Sequence, residues 1–159
     1  MNKILEFLEN DARLTPAQIA VMVNKDEGDI KQAIKELENN GTILGYQALI
    51  DWDKTEREYV DAVIELRITP QRDCGFDKVA EKIYSYPEVK SLYLMSGAYD
   101  LHVIIEGRTM REVAQFVAAK LAPLDSILST STHFVLKKYK DKGVVYANKE
   151  TDERESCMI

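Results

Sequence analysis

Residues 92 to 104 read LYLMSGAYDLHVI. Apolar residues run in, a Ser96-Gly97-Ala98-Tyr99-Asp100 break interrupts them, and apolar residues run out again. A hairpin needs a turn, and a glycine permits one. A plain turn does not require a tyrosine and an aspartate beside its glycine. The segment is either a turn in which Asp100 bonds nearby backbone N–H groups, or a place where something binds. A second polar set is Lys25, Lys31, Gln32 and Lys35. Cations and amides are the types that meet phosphates and base edges, but acids are interleaved with these, and their spacing alone assigns no role. The remaining groups promise less. His102 and His133 are the two histidines, and no Cys or carboxylate pattern surrounds them in the way a metal site demands. Cys74 and Cys157 form no CxxC or Cys/His cluster, so reduced thiols are expected. No Ser/His/Asp set, phosphate loop or paired-carboxylate site is visible, so no catalytic residue, cofactor or metal is assigned.

The totals constrain the partners. The 159 residues suffice for one ordinary domain or two small ones, and 45% of them are hydrophobic, enough for a packed core. A net charge of −6 repels bulk nucleic acid unless the charge is unevenly distributed. The N-terminal stretch NKILEFLENDARL is too polar for a signal peptide, and no apolar run approaches the roughly 20 residues of a membrane span. A cytoplasmic protein without a membrane partner is expected.

Two periodicities position the polar sets. Over residues 1–50 the pattern is helical. Ile4, Leu5 and Leu8 mark a first helix. Thr15, Pro16 and Gln18 form a capping box with proline in the first turn of a second. Asp26 caps a third, with Ile30, Ala33, Ile34 and Leu37 as its buried stripe and Gly41 as its stop. TILGYQALID then reads as a small β-hairpin. Three short helices and a hairpin make a winged helix-turn-helix, whose third helix would meet a duplex. The charged stretch 51–58 reads as a linker. From residue 59 to 140 the order is β-α-β-β-α-β. Val60, Ala62, Ile64, Leu66 and Ile68 alternate with Asp61, Val63, Glu65 and Arg67 on a strand ended by Pro70. Helices follow over FDKVAEKIYSYP and TMREVAQFVAAKL, the latter with a capping box from Thr109 to Glu112, and a last strand runs through LSTSTHFVLKKYK. The fold class is therefore α+β, a winged helix-turn-helix followed by a ferredoxin-like domain, with a charged tail over 141–159. Both helices of that domain lie on one face of the sheet, so its other face wants a partner, most simply a second copy.

This combination resembles the Lrp/AsnC family of leucine- and asparagine-responsive regulators. ILEFLENDARLTPAQIA, IKELENNGTILGYQALID and SGAYDLHV carry the resemblance, which spans roughly residues 2 to 140. It implies a transcription regulator that binds double-stranded DNA, forms dimers and often octamers, and takes a small effector, usually an amino acid, where dimers meet. Carried over residue by residue, the effector turn is Ser96, Gly97, Ala98, Tyr99 and Asp100. Asp100 would face an ammonium and the turn's N–H groups a carboxylate. Thr130 and Thr132, within Ser129–Thr132, would line the other side from a neighbouring subunit. Sirohaem decarboxylases share the two-part architecture, but they would need a basic, histidine-bearing pocket that this sequence lacks.

One segment departs from the family pattern. Residues 25 to 40 hold three lysines against Asp26, Glu27, Asp29, Glu36 and Glu38, a net −2, and no arginine able to take a guanine bidentately. Either Lys25, Lys31, Gln32 and Lys35 read DNA, or the helix is a solvated face on an effector-sensing oligomerisation protein with weak or no direct DNA binding. Avidity in a dimer or octamer offsets weakness in a single module.

Overall fold

A computed structural model describes residues 2–69 and 75–146, and the chain divides into two compact units, Met1–Ile50 and Asp51–Ile159. Pro70, Cys74, Cys157 and most of the expected tail lie outside the described residues.

The first unit contains α1 (Asn2–Asn10), α2 (Pro16–Val23) and α3 (Glu27–Asn39). The capping box at α2 closes in both directions. Gln18 N–H donates to Thr15 Oγ1 at 3.3 Å, and Thr15 N–H donates to Gln18 Oε1 at 2.8 Å. Asn24 ends α2 in the left-handed conformation, at φ 52°. Asp26 Oδ1 then accepts the Gly28 N–H at 2.7 Å and starts α3. Ile4, Leu8, Ile19, Ala20 and Ile30 form the core, with Phe7, Ala33, Ile34 and Ile43 packed around it. The expected hairpin over residues 42–51 does not form strands. Its backbone is pinned to α3 instead: Ile43 N–H bonds Leu37 O at 2.9 Å, and the Tyr46 hydroxyl donates to Glu38 at 3.0 Å. With no partner strand for a ladder, Leu44 is left 94% exposed.

The second unit is a four-stranded antiparallel sheet in the order β2-β3-β1-β4, from β1 (Val60–Ile68), β2 (Val89–Leu94), β3 (Leu101–Gly107) and β4 (Ile127–Phe134). One face packs against α4 (Asp77–Tyr84) and α5 (Met110–Phe116). Ala62, Ile64, Leu66, Leu101, Val103 and Ile105 of the strands meet Val79, Ile83, Val113 and Phe116 of the helices. The alternation read in β1 is the observed one, because period 2 sends every second side chain into this core. Helix α5 departs from expectation in two ways. Glu112 N–H donates to the Thr109 hydroxyl, but the Glu112 carboxylate returns to Arg108 N–H, so only half the capping box closes as expected. The helix then widens into a π turn over Val117–Leu121. The last strand stops at Phe134. Residue 141 opens no free tail, since β5 (Lys140–Asp141) and β6 (Val144–Val145) pair across Lys142 and Gly143. Both turn residues have positive φ, 44° and 83°, as a tight two-residue hairpin requires.

The stretch 51–58 is tied to the second unit. The Arg57 guanidinium lies 4.3 Å from the centre of the Trp52 ring and pairs with Glu106, while the Tyr59 hydroxyl donates to Asp53 at 2.9 Å.

Candidate functional site

Cross-strand register decides which side chains share the helix-free face. Residues directly opposite one another in an antiparallel pair point the same way. Glu65 stands opposite His102 on β3 and Ser131 on β4, Val63 stands opposite His133, and Tyr93 of β2 stands opposite His102. These residues oppose the core positions, so Glu65, His102, Tyr93, Ser131 and His133 all lie on the side without helices.

The Ser96–Asp100 turn closes at the end of this face. Gly97 has φ +144°, a conformation that side chains rarely adopt. Arg67 reaches from β1 and donates twice to Ala98 O, at 2.7 Å from Nη2 and 3.3 Å from Nε. Asp100 is tied to the same strand: its Oδ2 accepts the Ile68 N–H at 2.8 Å, and its own N–H donates to Leu66 O at 2.9 Å. That carboxylate sits where β1 changes register against β4, between Arg67 and Ile68, and there it takes up a backbone donor. Among the described backbone hydrogen bonds none is donated by residues 96 to 99.

A cavity of about 220 Å³ lies against the turn, lined by Glu65, Met95, Ser96, Gly97, Ala98, Tyr99, Leu101 and His102. Four of the residues expected at an effector site, Ser96 to Tyr99, therefore meet in one concavity. Asp100 does not line it. Thr130 and Thr132 stand opposite Leu66 and Ile64, on the helix-covered face, so within one chain the sheet separates them from the cavity. Sequence reading placed Glu65 on the bare face but gave neither it nor His102 a part in the site. Alternation supplies the face of a strand; only the register brings residues 65 and 102 together.

Electrostatics on this face is sparse. Glu65 Oε2 is 3.3 Å from His133 Nε2, which is 3.1 Å from the Ser131 hydroxyl. Lys138 closes the edge beside Asp61. Burial pushes its ammonium down, but the Asp61 carboxylate outweighs this and holds Lys138 above its ordinary range.

The other candidate surface is α3. Lys25, Lys31, Gln32 and Lys35 are all exposed. Two of them are engaged along their own helix: Lys31 pairs with Glu27 at 2.7 Å, and Gln32 donates to Glu36 at 2.8 Å. Such exposed pairs are each worth under about 1 kcal/mol, so a phosphate can displace them. Among the described residues no group of His, Cys, Asp and Glu could hold a metal ion, and no helix is long and apolar enough to cross a membrane.

Known proteins share this arrangement. A model described as the Lrp/AsnC ligand binding domain matches residues 61–145, and one described as winged helix-turn-helix DNA-binding matches residues 2–43. The chain is 47% identical over 153 residues to YugG of Bacillus subtilis (strain 168), described as an uncharacterized HTH-type transcriptional regulator; the match covers 96% of this chain and 92% of that one. It is 25% identical over 142 residues to the proline dehydrogenase transcriptional activator of Rhizobium radiobacter, covering 89% and 90%. Among solved structures, a transcriptional regulator of Neisseria meningitidis in complex with L-Met superposes with a TM-score of 0.71 at 25% identity, over 87% and 89% of the two chains. E. coli AsnC superposes with a TM-score of 0.66 at 22% identity, over 86% and 89%.

Proposed function

The chain belongs to the Lrp/AsnC family of winged helix-turn-helix transcription regulators, and from that premise we propose that an amino acid bound at the Ser96–Asp100 turn controls how this protein, assembled as a dimer or octamer in the cytoplasm, engages double-stranded DNA. The observation that carries the effector site is the turn itself. Residues 96 to 99, whose N–H groups have no backbone acceptor among the described hydrogen bonds, line a small cavity together with a carboxylate, Glu65. A zwitterion is what such a pair of poles attracts. The L-Met complex of the Neisseria relative supports an amino acid as the ligand class. Assembly is supported by the helix-free face: Tyr93 is 51% exposed and Met95, which lines the cavity beside it, is 48% exposed, apolar area that a second copy would cover. Lys25, Lys31, Gln32 and Lys35 are the DNA-facing groups in this reading, and no residue carries a catalytic role. The mechanism is population shift. A ligand that fits one arrangement of dimers better than another redistributes them, and the spacing of the α3 helices on DNA changes with it.

One observation favours a second reading. Glu27, Asp29, Glu36 and Glu38 crowd α3, and two of its polar residues are bound to acids of the same helix. A sensing and oligomerisation module acting through protein partners would tolerate that helix. Titration with the DNA upstream of the protein's own gene, at low and moderate salt, separates the two. The DNA-reading account expects a salt-sensitive complex, shifted by at least one of the common L-amino acids and lost in Lys31→Glu/Lys35→Glu. The absence of a complex at every salt concentration supports the module.

A further inference from the structure

Resting on the effector site proposed above, we infer that Glu65, in the middle of β1, is the counter-ion that receives the ligand's ammonium group, with Asp100 reserved for the backbone of β1. Chain order suggests the opposite, since Asp100 adjoins the turn and Glu65 is 31 residues before Ser96. Geometry reverses the assignment. Asp100 Oδ2 is taken by Ile68 N–H at 2.8 Å, and Asp100 is not among the residues lining the cavity, whereas Glu65 is.

Within one chain the surroundings of Glu65 leave it available. On its own strand, Arg67 donates to Ala98 O at the turn and makes no ion pair with Glu65. From β3, His102 stands opposite it and lines the same cavity. From β4, Ser131 stands opposite it, and His133 Nε2 approaches Glu65 Oε2 at 3.3 Å, an ion pair only when that imidazole is protonated. No lysine or arginine within ion-pair distance of Glu65 occurs among the described residues. Its side chain is 33% exposed, so it is partly desolvated without a permanent counter-charge. A carboxylate so placed gains most from an incoming cation that also donates hydrogen bonds. The cavity's other pole is the run of free N–H groups at residues 96 to 99, which fits an anion. Its volume, about 220 Å³, falls below the roughly 300–1,000 Å³ of drug-sized pockets, which suits a compact ligand.

A ligand-by-protein double cycle tests this. L-leucine and L-methionine are titrated by calorimetry into the full-length protein beside their des-amino analogues, 4-methylpentanoate and 4-(methylthio)butanoate, using wild type, Glu65→Gln, Asp100→Asn and Gly97→Val. The inference expects wild type to hold the amino acid at least tenfold more tightly than its des-amino analogue. It expects Glu65→Gln to erase that difference while leaving the analogue unchanged, and Asp100→Asn to preserve it. If Glu65→Gln binds the amino acid as wild type does but Gly97→Val does not, the assignment to Glu65 is overturned while the site at the turn stands. If neither substitution affects binding, or neither amino acid binds wild type, both fail. Gel filtration of Glu65→Gln closes the remaining route: equal loss of both probes together with loss of the assembled state makes Glu65 an interface residue and overturns the inference.

Discussion

In the proposed reading the two units would meet their partners by opposite means. The groups that α3 offers are long, exposed side chains in competition with acids one turn away on the same helix. The groups that the sheet offers at residues 96 to 99 are backbone N–H donors, held by Arg67 and Asp100 bonding across strands. A surface built from mobile charges is weak, salt-dependent and readily retuned by substitution. A site built from backbone on a packed sheet keeps its geometry and changes only when the register or the turn does. The cores differ in the same sense. Among the described residues, six are buried in the helical unit, while the sheet unit encloses a continuous cluster from four strands and two helices. On the proposed sites, one chain would combine an adjustable reader with a fixed receiver.

The largest effect expected from breaking this contrast lies in the sheet core. Ile64 is fully buried in the central strand, and Ile64→Ala should cost the second unit about 3 kcal/mol. Urea unfolding followed by Trp52 fluorescence, the single tryptophan, reports that unit, and helical circular dichroism includes the first. An equal shift of both signals would mean that the units unfold as one. Next in size, Lys31→Glu with Lys35→Glu should lower DNA affinity by about 100-fold and flatten its salt dependence, with ligand affinity unchanged. Fluorescence anisotropy on labelled DNA measures the first effect and calorimetry the second. Asp100→Ala leaves Ile68 N–H without its acceptor and should cost about 2 kcal/mol in the same urea experiment. Asp100→Asn, which keeps an acceptor oxygen, should cost less. The smallest effect concerns pH. Burial, then the hydrogen bond to the Asp53 carboxylate, raises the Tyr59 hydroxyl above its ordinary range. A group that holds its proton more tightly when folded stabilises the protein below its unfolded pKa, about 10, and that contribution fades as pH rises beyond it. The urea midpoint should fall above about pH 10, and less steeply in Tyr59→Phe.

Much of the architecture could be read from residues alone, because local rules governed it. The Thr15–Gln18 box, the Asp26 cap and the alternation from Val60 to Ile68 each depend on a few neighbours, and each formed as expected. Expectations failed where a distant or absent partner decides. Residues 44 to 50 carry a strand-like pattern but pair with no strand among the described residues. Lys142 and Gly143 make a hairpin in a region whose charge suggested a tail. At the candidate site the glycine turn was conspicuous, yet the partners of Asp100 and the nearness of Glu65 to the turn depend on register between strands more than 30 residues apart. Period-2 patterning specifies a face, never the residue opposite.

The central claim is that a zwitterion at the Ser96–Tyr99 turn alters DNA binding by the other unit. The most direct measurement is the DNA affinity of the full chain by anisotropy, at moderate salt, with each common L-amino acid in turn, for wild type and Gly97→Val. At least one amino acid should change wild-type affinity by about fivefold or more, the low end of ordinary allosteric coupling, and Gly97→Val should keep its DNA affinity but lose that response. No response to any amino acid, or the same response in both proteins, would contradict the account.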